Sequence, residues 1–156
     1  MSNRGYFGIG VYEPKVSENI GTLWRHARLY GADFIFTIGK RYKRQPMDTS
    51  DTPRHIPLYE YADFEDFESH LPRDCKLVCV ELEDDSVGLP SFKHPERAVY
   101  LLGSEDHGIP REISIDRPIV QIPSQEPQSM NVSVSGTLVM YDRYTKAASL
   151  SGEHQA

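Results

Sequence analysis

The chain is poor in the residues that would supply a covalent or metal-built scaffold. It has only two cysteines in 156 residues, Cys75 and Cys79. They fall in one apolar stretch that reads as a strand, where Cα atoms four residues apart lie ~13 Å from each other. A disulfide needs roughly 4.4 to 6.8 Å, so both are expected to be reduced, buried small hydrophobes. The six histidines show no H-x-x-x-H spacing and the cysteines no paired C-x-x-C spacing, so no metal site is expected. No apolar run approaches the ~20 residues that cross a bilayer, and the polar opening Met1-Ser2-Asn3-Arg4 lacks the apolar core of a signal peptide. No membrane partner and a cytoplasmic location are therefore expected. Neither G-x-G-x-x-G nor a Walker lysine is present, which counts against a phosphate-cradling nucleotide or flavin protein.

What is present argues for one folded domain. A hydrophobic fraction of 38% with nine Tyr and six Phe is enough to bury a core at this length. Residues 1–150 are expected to form a single domain, with 151–156 a short polar tail. The net charge of −6 is unevenly spread: residues 1–60 carry nine Lys and Arg against six Asp and Glu, and the remainder is strongly acidic. The densest basic run is Lys40-Arg41-Tyr42-Lys43-Arg44, so an acidic protein can still present one basic face.

Strand and helix signals alternate. Tyr6 to Tyr12 reads as a buried strand. Asn19 to Tyr30 reads as a helix, because Ile20, Leu23, Trp24 and Ala27 make one stripe at i, i+3, i+4, i+7 and Gly31 suits a left-handed cap. Phe34 to Ile38 is a second strand, followed by a long polar loop over 40–55. Ile56 to Tyr59 suggests a short strand and Tyr61 to Leu71 an acidic helix with Phe64 and Phe67 inward. Lys76 to Leu82, Ala98 to Leu102 and Ile119 to Ile122 are continuous apolar strands of the kind covered on both faces. Val132 to Lys146 reads as a closing helix. This alternation predicts an α/β fold, a parallel sheet with helices on both faces, whose ligands lie at the carboxyl ends of the strands.

Three segments look costly for a fold alone. Asn19-x5-Arg25 follows the first strand; alone, Asn19 could be only a helix cap and Arg25 only a solvated cation. Leu101-Leu102-Gly103-Ser104-Glu105-Asp106-His107-Gly108-Ile109-Pro110 runs from a strand into a Gly-bounded acidic loop, with Pro110 suited to a first helical position. Gly103 would let a ligand approach the backbone closely. Ile122 to Gly136 is a polar, Pro-punctuated loop entering a helix, where Ser129 and Asn131 could serve as caps.

In this order and spacing, the three segments resemble the motifs of the SpoU-TrmH RNA 2′-O-methyltransferases of the SPOUT superfamily. The similarity runs from Val11-Tyr12-Glu13-Pro14 to Tyr141 and is most specific at Leu102-Gly103-Ser104-Glu105 and at Ile122-Pro123 with Ser129-Met130-Asn131-Val132. The resemblance implies a C-terminal deep trefoil knot, a feature otherwise almost absent from proteins. It also implies a homodimer with shared active sites, S-adenosylmethionine as cofactor, and methyl transfer to a ribose of RNA, tRNA before rRNA. Within tRNA, the wobble ribose and a D-loop ribose both stay open. It places the cofactor on Leu102, Gly103, Ile122, Ser129 and Met130, and assigns catalysis to Asn19, Arg25, Glu105, Ser129 and Asn131. Arg25, Lys40, Arg41, Lys43 and Arg44 would hold the RNA. The third motif departs from the family in lacking Met-x-Gly after Ile-Pro and in being short, and the N-terminal RNA-binding extension of several relatives is not expected, so that any RNA grip would come from the catalytic domain. The alternative is a non-catalytic RNA-binding protein that keeps the fold.

Overall fold

The computed structural model describes residues 5–42 and 52–151. Its elements are β1 (Tyr6–Tyr12), α1 (Ser17–Leu29), β2 (Phe34–Ile38), β3 (Leu58–Tyr61), α2 (Phe64–Ser69), β4 (Lys76–Val80), β5 (Val87–Gly88), β6 (Arg97–Leu102), α3 (Arg111–Ser114), β7 (Ile119–Gln121) and α4 (Val132–Ser151). The strands form one seven-stranded sheet in the order β3-β2-β1-β6-β4-β7-β5, and every pairing is parallel. The predicted α/β architecture is therefore present, with β6 inserted between β1 and β4, and β7 between β4 and β5.

Period-two alternation gives each strand two buried faces. On one face Phe7, Ile9 and Val11 of β1, with Tyr100 and Leu102 of β6, pack beneath Ile20, Leu23 and Ala27 of α1 and Val139 and Met140 of α4. On the other, Phe34 and Phe36 of β2 join Leu77, Cys79, Val99 and Leu101 beneath Phe67 of α2 and Ile113 of α3. The second face explains the glycines of β1. A Cβ on Gly8 would sit 2.2 Å from the Phe34 ring, and one on Gly10 would sit 2.4 Å from Phe36. The absent side chains of β1 are the space that the neighbouring rings occupy. Phe36 in turn stacks on Phe67 at 4.6 Å between centroids, a contact worth ~0.5 to 1.5 kcal/mol beyond the area it buries.

Several boundaries differ from expectation. Helix α1 starts at Ser17 with Val16 in the capping position, so Asn19 lies inside the first turn and is not the cap. Gly31 follows that helix with φ +81°, as expected. Strand β3 is shifted two residues later, because Ile56 tucks into the core from the loop and Pro57 cannot donate to a ladder. Helix α2 is six residues long, capped by the Asp63 side chain on the Asp66 amide at 2.8 Å. Cys75 precedes β4 and is only partly buried, whereas Cys79 is buried and its thiol is pushed up to about 11 by that burial. Pro110 stands just before α3 instead of inside it. Helix α4 runs on to Ser151, past the expected end at Lys146. No helix among the described residues is long and apolar enough to cross a membrane.

A polar clamp fastens α4 to the segment before β6. The His94 ring bridges the Tyr100 hydroxyl and Asp142 Oδ2, both at 2.7 Å. Lys146 Nζ donates to the Leu89 and Phe92 carbonyls and pairs with Asp142. Arg143 donates to the Pro95 and Glu96 carbonyls and to the Tyr100 hydroxyl. Burial lowers the His94 pKa, the Asp142 carboxylate opposes that shift, and the Arg143 and Lys146 cations add to it. The neutral ring fits this geometry, with one nitrogen donating to Asp142 and the other accepting from the tyrosine. Unfolded His94 therefore takes up a proton at higher pH than folded His94. Stability is present above the ordinary histidine value of about 6.5 and is lost as pH falls from there through the folded value. Urea unfolding between pH 7.5 and pH 5 should show this decline, and His94→Gln should flatten it.

Candidate active site

The carboxyl ends of β4, β6 and β7 meet beside one another and open into a pocket. Its walls come from Val80, Glu81 and Leu82 after β4, from Leu102 to Glu105 after β6, and from the segment between β7 and α4. All five residues expected to touch the cofactor line it: Leu102, Gly103, Ile122, Ser129 and Met130. Glu105 also lines it. Sequence reading missed Glu81 and Leu82. They close the predicted strand Lys76 to Leu82, so the rule that ligands lie at carboxyl strand ends would have found them.

The loop after β6 is folded tightly on itself. Ser104 and Gly108 form an antiparallel bridge, with the Gly108 amide donating to the Ser104 carbonyl at 2.9 Å and the His107 amide to Ser104 Oγ at 3.2 Å. A Cβ on Gly103 would lie 2.5 to 2.7 Å from the backbone of Gly108 and Ile109. Gly103 is thus required by the chain's own return past it, before any ligand arrives. Glu81 fastens the same loop: its Oε2 accepts from the Ile109 amide at 2.7 Å and its Oε1 from the Leu82 amide at 3.2 Å. At the tip, Lys15 and Asp106 pair at 2.9 Å in solvent.

A directed hydrogen-bond chain joins the three sequence segments at the pocket mouth. Asn131 Oδ1 accepts from the Ser133 amide at 2.9 Å, the Ser133 hydroxyl at 2.6 Å and the Val134 amide at 3.3 Å, capping α4. Its Nδ2 donates to Asn19 Oδ1 at 3.0 Å, and Asn19 Nδ2 donates to Glu105 Oε1 at 3.1 Å. Asn131 is thus a helix cap and also a link to Asn19. Ser129 stands at the pocket wall, ahead of the capped turn.

Arg25 is placed differently. It lies on the exposed side of α1 and donates to Thr22 Oγ1 at 3.3 Å. Six residues separate it from Asn19, a rise of about 9 Å along the helix. A crossover helix runs back from the carboxyl edge of the sheet, so this distance leads away from the pocket. Lys40 and Arg41 are exposed just beyond β2 at the carboxyl edge. Lys43 and Arg44 lie outside the described residues. The Tyr42 ring packs edge-on against Trp24 at 5.9 Å, while its amide donates to Glu60. Trp24 in turn donates to the Ile56 carbonyl at 2.9 Å, so these rings anchor the loop to α1. Among the described residues no group of His, Cys, Asp and Glu is arranged to hold a metal.

The two roles of Asn131 are separable by mutation. Asn131→Asp keeps the capping oxygen and loses the donor to Asn19; thermal melting should stay near wild type while turnover falls by about tenfold or more. Asn131→Ala should lose the same activity and in addition ~1 kcal/mol of stability. Equal melting points and equal activities for wild type and the Asp variant would show that the link is incidental.

Comparison with known proteins agrees with this geometry. The chain is 26% identical over 141 residues to the tRNA (cytidine(34)-2′-O)-methyltransferase of Ancylobacter novellus, covering 85% of this chain and 87% of that protein. A solved structure described under the 2-OH methylation of C/U34 on tRNA superposes with a TM-score of 0.81 at 23% identity, over 96% of this chain and 99% of that one. An AdoMet-bound rRNA methyltransferase from Sinorhizobium meliloti gives a TM-score of 0.77 at 20% identity, over 94% of this chain and 60% of that one. The sequence pattern of the SpoU rRNA Methylase family matches residues 7–141, nearly the whole of the folded part, and the chain belongs to that family.

Proposed function

We propose that this protein methylates the ribose 2′-hydroxyl of a tRNA nucleotide, with S-adenosylmethionine as methyl donor, and that the target is position 34. The observation that carries the reading is the chain Asn131 to Asn19 to Glu105, which draws three separate segments to the mouth of one pocket. The named Ancylobacter relative supports tRNA and position 34. A tRNA substrate also supports a cytoplasmic location.

The pocket suits the donor chemically. Its walls combine apolar Leu82, Leu102, Ile122 and Met130, which fit a nucleoside, with carboxylates and, among the described residues, no lysine, arginine or histidine. When bound, S-adenosylmethionine supplies an electrophilic methyl carbon on a sulfonium sulfur. Leu102, Gly103, Ile122, Ser129 and Met130 would hold it, mainly through backbone and apolar contact. The chain's remaining task is to align the ribose oxygen with that carbon and to accept or share the hydroxyl proton. Glu105, oriented by Asn19, is set to hydrogen-bond at the mouth, and Ser129 stands beside it. Arg25 is a poor base, since a guanidinium stays protonated up to a pH of about 12. Its role here is to grip the neighbouring phosphate, assisted by Lys40, Arg41, Lys43 and Arg44.

Arg25 lies about 9 Å along α1 from Asn19, which supports a shared site in a two-fold dimer where each Arg25 serves the partner's pocket. Helix α4 supports the dimer too: Val134, Leu138, Tyr141 and Tyr144 are exposed, whereas Val139 is core. The insertions of β6 and β7 between strands laid down earlier support a knotted C-terminal part of a single domain spanning 1–150. Retention of Asn19, Arg25, Glu105, Ser129 and Asn131 together disfavours a non-catalytic RNA-binding role.

Mass-spectrometric mapping of tRNA from a deletion strain should show loss of 2′-O-methylation at position 34, restored by wild type and not by Glu105→Ala. An unchanged tRNA and an altered rRNA would reassign the substrate. Co-expression of Arg25→Ala with Glu105→Ala should recover about a quarter of wild-type activity, because half of random dimers are mixed and one of their two sites is intact. Recovery at background would place Arg25 in its own chain's site.

A further inference from the structure

Glu81 is the one charged side chain of the pocket that the proposed mechanism leaves without a task. It follows β4, half-buried, at the same carboxyl edge of the sheet as Glu105, which follows the neighbouring strand β6. Its two oxygens each accept one backbone amide, from Ile109 and Leu82, so the carboxylate is held at the pocket wall in a fixed orientation. A Cβ on Gly108 would lie 2.5 Å from Oε2, which shows how closely the loop is seated on it. Among the described residues, the charged side chains lining the pocket are Glu81 and Glu105, both negative.

The donor and its spent product share the adenosine and the amino-acid group. They differ by one methyl and by the positive charge of the sulfonium, because on transfer the carbon–sulfur bonding pair returns to sulfur and leaves a neutral thioether. A carboxylate held at the wall of a partly water-excluded pocket acts on that difference more strongly than one in open solvent. Glu105 stands exposed at the mouth, where water screens it. We propose that Glu81 is the specificity-determining residue by which the pocket prefers the cationic donor over the neutral product, so that methyl transfer itself weakens the hold on what remains. Resting on the donor reading above, this adds a reason for the acid at the end of β4 beyond its support of the loop. Support alone would aid both ligands equally; charge aids only one.

Calorimetry on the full chain tests it with three probes: S-adenosylmethionine, S-adenosylhomocysteine, and sinefungin, in which a protonated amine replaces the sulfonium. The readout is the ratio of product Kd to donor Kd. Glu81→Gln keeps an oxygen for the Ile109 amide and should lower that ratio about threefold to tenfold, weakening the donor and sinefungin while product affinity stays within about twofold. Glu81→Asp keeps the charge and should hold the ratio near wild type even if both affinities fall. Thermal melts confirm that each variant is folded. Parallel weakening of all three ligands by Glu81→Gln, or no change in any, would overturn the charge role and leave the donor pocket standing. Failure of the wild type to bind any of the three would overturn the donor reading itself.

Discussion

The amide of Asn131 is committed, and the active-site arrangement depends on that commitment. The first backbone amides of a helix need acceptors, and Asn131 Oδ1 supplies one to Ser133 and Val134. Only the NH2 end is then left to face outward. Asn19 must present its oxygen to that donor, which leaves its own NH2 for Glu105. Orientation of an amide is ordinarily ambiguous, but a chain anchored on a helix end allows one direction. The helix terminus thereby sets the direction of hydrogen bonding at a carboxylate 26 residues earlier in sequence, through a side chain 112 residues away from its first link.

That chain works only because the sheet delivers its members to one edge. Parallel strands buried on both faces place every carboxyl end on the same side. The glycines of β1 admit the Phe34 and Phe36 rings, and this close packing fixes β2 beside β1. On the other face, Gly136 of α4 meets Leu23, Leu102 and Ile9, where a Cβ would lie 2.5 Å from the leucine of α1. Helices α1 and α4 therefore approach closely enough for Asn19 and Asn131, each at the start of its helix, to touch.

Much of this was legible in the sequence, and the failures have physical causes. Continuous apolar runs marked β1, β2, β4, β6 and β7, and the 3.6-residue stripe marked α1. Strand β5 has two residues and α3 four, too short for any periodicity to register. Sheet order is set by long-range packing, so neither the insertion of β6 nor that of β7 could be read locally. The motif segments disclosed Asn19, Glu105 and Asn131, but not that one cap would link them. Glu81 escaped because a lone acid ending an apolar strand reads as a solvated strand end. The packing of Tyr42 on Trp24 could not be read locally, because the two rings are distant in sequence.

The charge map gives these elements a common logic. The proposed donor is a cation and the proposed substrate a polyanion, and one surface cannot attract both. Here the charged side chains lining the pocket between β4, β6 and β7, among the described residues, are the carboxylates of Glu81 and Glu105, while the exposed cations Lys40 and Arg41 stand beyond β2, on the far side of β1. Three strand positions separate β2 from β4, about 14 Å at the usual spacing. By strand count Glu81, after β4, is thus farther from those cations than the Debye length of roughly 8 Å at physiological salt, whereas Lys40 acts on Asp106 in the loop after β6. A net charge of −6 is then no obstacle to binding RNA. It records an acidic majority of charged residues, against which a local basic edge beyond β2 can still draw a polyanion.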